Sequence, residues 1–312
     1  MTQACAAGVD VGRDYLDVAF APSGRGFRAP NGPKGIEAVV GRLRRAGVSR
    51  VVLESMGTYA ARLVRALGLA GLDVRVVDPK RIRALRQVEG RHAKTDRLDA
   101  ELIARFALMM SDAARPLPSA DSLEIRALST RRRQLVEMAA MEKTRLKQSL
   151  DEEIAQSCRA MIAMLSAERD QVEARLKQRL LDQSSGQERF ELLQTAPGIG
   201  PAVAMTLMAD LPELGTTNRK AIASLAGLAP HPNESGTHVG RAHISGGRPC
   251  VRAALYMAAV TAARADKGFK ADYQAMRATG KPAKVALVAI ARKLLVAANI
   301  MVRDTTPWAK PT

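Results

Sequence analysis

From Ser119 to about Leu181 the chain contains neither proline nor glycine, while Leu, Met and Ile recur every three or four residues amid dense charge. With both helix breakers absent and the apolar period near 3.6, continuous helix is the regular structure left open. A run of that length must fold back on itself to cover its apolar stripe, so an antiparallel helical hairpin of coiled-coil type is expected. Breakers flank it: Arg115-Pro116-Leu117-Pro118 on one side and Ser184-Ser185-Gly186 on the other. The chain of 312 residues thereby divides into 1–118, 119–185 and 186–312.

The first segment alternates strand and helix signals. Residues 8–20 hold two short β-branched and apolar runs joined by Gly12-Arg13-Asp14, a hairpin signature. Periodicity then predicts a helix over 34–46, a strand over 50–53, a helix over 58–69, and a strand over 73–77 stopped by Asp78-Pro79. Leu98, Leu102, Ile103 and Phe106 mark a further helix over 95–110, with Thr95 as its N-cap. Strands alternating with helices after an opening hairpin indicate a mixed α/β layer. The last segment is expected to be mainly helical. Ala196-Pro197-Gly198-Ile199-Gly200-Pro201 sits between two helical patterns, resembling a helix-hairpin-helix; a loop-rich tract spans 229–247, and helices follow over 249–265 and 283–302.

Charge narrows the partners. Lys and Arg number 48 against 31 Asp and Glu, a formal net charge of +17. A polyanion is the first expectation, because phosphate neutralisation by Lys and Arg supplies most non-specific nucleic-acid binding; an anionic membrane surface competes. Only 3% of residues are aromatic, so base stacking is not the main grip. The start lacks a basic region followed by an apolar run, and Arg292 and Lys293 interrupt the most apolar late stretch, Val285 to Val302, so neither a signal peptide nor a membrane span is expected. Cys5, Cys158 and Cys250 are an odd, widely spaced set, which suits reduced thiols in a cytoplasm.

Four carboxylates carry candidate chemistry. Asp10 is flanked by Val9 and Val11 in an apolar strand, where a charge is costly unless paired or bound to metal. Glu54 ends the strand Val51-Val52-Leu53, at the carboxyl edge where α/β sheets place their sites. Asp96 and Asp99 are three apart on a helix and share a face. Together these hard oxygen ligands could hold two Mg²⁺ or Mn²⁺ ions about 4 Å apart, the arrangement by which nucleases activate an attacking oxygen and stabilise a leaving one. Local readings stand beside this: Asp10 in a turn, Glu54 at a helix start, and Asp96 and Asp99 as a solvated first turn favoured by the helix dipole. Asp78, also at a strand end, is a rival ligand. Asp14 and Asp17 are weaker rivals, since the hairpin should carry them away from the site.

The second half offers phosphate contacts. Pro-Gly-Ile-Gly can present backbone N–H groups of Gly198 and Gly200 to a phosphate, or be a tight turn between packed helices. The tract Gly240-Arg241-Ala242-His243-Ile244-Ser245-Gly246-Gly247-Arg248-Pro249 puts Ser245 in a glycine-rich loop before a helix, with Arg241, Arg248 and Arg252 near enough to neutralise a phosphate. Ser245 there fits a nucleophile, although by spacing alone a serine before a helix is more often its cap. His231, His238 and His243 with Cys250 have no zinc-motif spacing and are expected to line a nucleic-acid-contacting loop.

Asp10 in the first strand, Glu54 at the end of a later one and Lys94-Thr95-Asp96-Arg97-Leu98-Asp99-Ala100 resemble the RuvC-like, RNase H-like domain of DEDD transposases. With Pro197-Gly198-Ile199-Gly200, Ala226-Gly227-Leu228-Ala229-Pro230 and the serine loop, the chain resembles the bridge-RNA-guided recombinases of the insertion-sequence one-hundred-and-ten family. That resemblance implies an RNase H-like α/β N-terminal domain, a coiled-coil middle and a mainly α transposase domain. It implies a DEDD set of Asp10, Glu54, Asp96 and Asp99 with Mg²⁺ (or Mn²⁺), and Ser245 as the residue joined covalently to DNA during strand exchange. It further implies donor and target DNA, a structured non-coding guide RNA, dimers assembling to a tetramer in which one subunit's carboxylates meet another's serine, and a prokaryotic, nucleoid-associated location. Two other readings use the same residues: a Holliday-junction resolvase or RNase H-like nuclease with water as nucleophile, and a non-enzymatic nucleic-acid-binding protein.

Overall fold

The computed structural model describes residues 6–54, 59–90, 95–109, 115–116, 119–235 and 238–309. It divides into two compact units, Met1–Pro118 and Ser119–Thr312.

In the first unit, strand β1 (Ala6–Val11) pairs antiparallel with β2 (Tyr15–Ala21), closing the expected hairpin, with Val9 opposite Val18 and Asp10 opposite Asp17. A third strand, β3 (Gly26–Pro30), adds antiparallel to β2; periodicity had not marked it. Helix α1 (Pro33–Arg45) leads to β4 (Arg50–Leu53), parallel to β1; α2 (Ala61–Leu69) leads to β5 (Asp73–Val76), parallel to β4. Helix α3 (Pro79–Val88) follows, then α4 (Asp96–Met109) and a short β6 (Arg115–Pro116) antiparallel to β5. The sheet order is β3-β2-β1-β4-β5-β6. The mixed α/β layer expected of this segment is present.

Both faces of the sheet are covered, and the period of two along each strand decides what each face receives. Ala7, Val9, Val51 and Leu53 pack with Ile36, Val39 and Leu43 of α1 and Leu63 and Leu67 of α2. On the opposite face Ala6 and Val52 meet Ile82 of α3 and Leu102, Ile103 and Phe106 of α4. Gly8 faces α4 so closely that a Cβ would lie 2.2 Å from the Ala104 nitrogen and 2.4 Å from the Ala100 oxygen. Its missing side chain lets α4 lie directly on the centre of the sheet. Asp10, two residues on, must then point toward the first turn of α4.

In the second unit, α5 (Ala120–Gln148) and α6 (Glu152–Leu181) form the expected helical hairpin. Ion pairs Arg132–Glu173 and Arg179–Glu124 run in opposite sequence directions, which makes the pair antiparallel. Leu135, Ala139, Leu165 and Val172 fill its seam. Ile125, Leu176 and Leu180 belong instead to the larger core of α7 (Gly186–Gln194), α8 (Pro201–Asp210), α9 (Arg219–Leu225), α10 (Pro249–Ala265), α11 (Lys267–Ala278) and α12 (Ala283–Asp304). The loop-rich tract expected over 229–247 is a two-stranded hairpin, β7 (Pro230–Ser235) with β8 (His238–Ile244). Its His, Pro, Asn and Gly content and a register shift between His231 and Asn233 hide the alternation that marks a strand. Helix α12 is long and apolar enough to cross a membrane by length and composition, yet Ile290, Leu294, Leu295 and Ala298 lie in this core.

Candidate active site

Period and register put three carboxylates on the α4 face of the sheet. Asp10 follows Ala6 and Gly8; Asp17 is its cross-strand partner; Glu54 follows Leu53, whose side chain points to the other face. Asp96 and Asp99 come from the first turn of α4, which the Thr95 hydroxyl caps by accepting from the Leu98 N–H at 3.3 Å. All four of the other carboxylates act on Asp10. Burial first, then the charges of Asp96, Asp99, Glu54 and Asp17, raise its pKa from the ordinary 3.8 to about 6. A carboxylate held protonated to that degree marks a site short of positive charge.

Two arginines partly answer that shortage, and the sequence reading had found neither. Arg28 on β3 donates to both Asp17 oxygens, Nε at 3.0 and 3.1 Å and Nη2 at 2.8 Å, and reaches Asp96 at 3.3 Å, with its guanidinium 5.3 Å from the Tyr15 ring centre. Arg86 on α3 pairs with Asp99. Asp17 thereby enters the site, contrary to expectation: the hairpin does not carry it away, because its register sets it opposite Asp10, and it is buried. Its placement about the 12–14 turn, mirroring Asp10, was the signal that could have found it. Asp14 is exposed, and Asp78 caps α3 by accepting from the Lys80 N–H at 2.8 Å, as a strand-end Asp before Pro does when a helix begins there.

Hard carboxylate oxygens fit a divalent Mg²⁺ or Mn²⁺, and the raised pKa of Asp10 is what such an ion would relieve. As arranged, however, no three of the described His, Cys, Asp or Glu residues stand close enough to hold one ion. Asp96 and Asp99 are turned to arginines.

In the second unit Ser245 lies between β8 and the N-terminus of α10, exposed and without a hydrogen bond to the described residues. It is not the helix cap, a position Arg248 occupies without its side chain capping the helix. Gly246 and Gly247 both have positive φ, +67° and +62°. A Cβ on Gly247 would lie 2.1 Å from the Gly227 nitrogen, so the serine loop rests backbone to backbone on the Ala226-Gly227-Leu228 turn.

Arg248 and Arg252, expected to neutralise phosphate, have protein partners. Arg248 makes a fork to Glu213 at 2.5 and 2.6 Å, so its charge is already balanced; Arg252 Nη1 donates to the Gly246 carbonyl at 2.8 Å and the Gly227 carbonyl at 3.4 Å. Both brace the loop. The side chain of Arg241 lies outside the described residues, as does that of His238. His231 and His243 are exposed and directly opposite each other on β7 and β8. Gly198 has φ +78°, and its Cβ would meet the Ala258 oxygen of α10 at 2.2 Å, so close helix packing accounts for it. Gly200 caps α8 with open space around it.

A transposase family of DEDD, IS110 type matches residues 7–154, and the transposase IS116/IS110/IS902 family matches residues 190–274. The pilin gene-inverting protein of Moraxella bovis is 27% identical over 264 residues, 83% of this chain and 82% of that protein. The insertion element IS110 uncharacterized 43.6 kDa protein of Streptomyces coelicolor is 33% identical over 118 residues, 37% of this chain and 29% of that protein. Among solved structures, T. thermophilus RuvC in complex with a Holliday junction substrate is 18% identical with TM-score 0.29, covering 37% of this chain and 100% of that one.

Proposed function

Since the chain belongs to the IS110 family of transposases and is an enzyme acting on DNA, we propose that it cleaves and exchanges DNA strands through a phosphoserine intermediate at Ser245, assisted by an RNase H-like carboxylate site. The observation that carries the reading is the convergence of Glu54, Asp96 and Asp99 on Asp10.

In this reading Asp10, Glu54, Asp96 and Asp99 hold divalent metal, which when bound supplies Lewis-acid stabilisation of charge on the phosphate oxygens. The Ser245 oxygen attacks a DNA phosphorus: an Oγ–P ester forms, one P–O bond of the strand breaks, the Ser245 hydroxyl gives up its proton and the departing DNA oxygen takes one up to become a hydroxyl. A DNA hydroxyl later attacks the same phosphorus and releases the serine, so no net hydrolysis is needed. The exposure of Ser245, its lack of a hydrogen bond to the described residues and the seating of the adjoining Gly247 on Gly227 support a nucleophile that must reach a large substrate. A structured guide RNA supplying sequence by base pairing, and a dimer assembling to a tetramer, complete the proposal.

The test incubates the protein, candidate flanking RNA and labelled donor and target DNA with Mg²⁺, followed by a denaturing gel and mapping of any linked residue. A DNA adduct at Ser245 that vanishes in Asp10→Ala is expected. Cleavage without adduct would assign water as the nucleophile, and binding without cleavage would reduce the protein to a binding role.

A further inference from the structure

The pairing of Arg86 with Asp99 contains information beyond the assignment of the four carboxylates. The Arg86 side chain is 17% exposed and that of Asp99 9%, whereas Arg28 and Asp96 are 51% and 68% exposed. A guanidinium brought this far out of water is held by its partner, and the partner is one of the four carboxylates proposed as ligands, in a cluster already rich in negative charge. Arg28 differs. Its fork to Asp17 persists whether or not Asp96 stays, so it is anchored outside the ligand set.

Building on the carboxylate-metal reading above, we propose that Arg86 is a built-in counter-ion for the site: it occupies Asp99 in the metal-free protein and competes with divalent metal for that carboxylate. Arg86 acts through Asp99 and is a positioning residue. The site is thereby kept electrostatically tolerable on its own, and metal must displace an internal cation before Asp99 can join Asp10. Helix α3, which delivers Arg86, packs through Ile82 on the same core as α4, so the guanidinium is aimed by a rigid element rather than a loop.

The test measures Mn²⁺ binding to the full chain by calorimetry and by electron paramagnetic resonance, with Asp10→Asn defining the specific site. Arg86→Met is expected to bind Mn²⁺ about tenfold more tightly, the scale of one charge-assisted hydrogen bond removed from the competition. Its Tm should also rise more on adding Mn²⁺ than that of the wild type, because metal then relieves repulsion that no arginine shares. Arg86→Lys, which keeps the charge, should stay near the wild-type affinity. If Arg86→Met does not fold, Arg86→Gln carries the same measurement. Unchanged or weaker Mn²⁺ binding in a folded, uncharged variant overturns the competition while leaving the metal site standing. Absence of Mn²⁺ binding from the wild type, no different from Asp10→Asn, overturns the metal site and the competition together.

Discussion

Replacing Asp10 with Asn should stabilise the metal-free protein while abolishing its chemistry. The carboxyl is raised from 3.8 to about 6 by burial and by the charges of Asp96, Asp99, Glu54 and Asp17. At about 1.36 kcal/mol per pH unit, that gap sets a ceiling of about 3 kcal/mol. Asp10 is only half-buried, so solvent screening leaves roughly half, about 1.5 kcal/mol. The sign follows from linkage: between about pH 4 and pH 6 the folded protein keeps a proton that the unfolded chain has lost, so wild-type stability falls as pH rises through that window. Asn has no proton to lose. The variant should match the wild type near pH 4, pull ahead through pH 6 and remain ahead at pH 7.5, by roughly 5 °C in the transition of a unit this size. Differential scanning calorimetry in EDTA at pH 4, 6 and 7.5 measures this. A variant less stable than wild type at pH 7.5, or a gap of equal size at pH 4, would refute the electrostatic account of the cluster.

Gly198→Ala should cost about 3 kcal/mol or more in urea unfolding, since the new Cβ combines a φ of +78° with a 2.2 Å approach to the Ala258 oxygen; a change below about 0.5 kcal/mol would place the constraint elsewhere. Arg248→Ala removes both charge-assisted bonds of its fork to Glu213 and should lower stability by roughly 1.5–3 kcal/mol. The same variant should leave the salt dependence of DNA binding unchanged, and a slope smaller by about one would return Arg248 to the phosphate contacts. Ser245→Ala should unfold within about 0.5 kcal/mol of wild type, because nothing described depends on its hydroxyl, and should form no covalent DNA adduct on a denaturing gel.

Local chemistry was legible. The β1–β2 hairpin, the strand Arg50–Leu53, the Thr95 cap and the helical hairpin α5–α6 follow from periodicity and capping rules that operate over a few residues. Helix α3 was missed because Asp78-Pro79 reads as a stop for β5, while it is also the cap and first turn of a helix. The phosphate contacts expected of Arg248, Arg252 and Gly198 rest on proximity in sequence to helix starts. The protein neighbours these residues also have, Glu213, the Gly246 carbonyl and the α10 backbone, lie on other elements or across the turn and cannot be seen along the chain.

By itself the sequence determined which carboxylates stand on strands and helix ends, because alternation and helical spacing are properties of short segments. Only the tertiary structure decided what charge each one meets. Arg28 reaches Asp96 across 68 residues and Arg86 reaches Asp99 from a different helix. Such pairings depend on how α3, α4 and β3 settle on the sheet, and Gly8 is what lets α4 settle there. Coulomb energy depends on distance in space, to which separation along the chain is no guide.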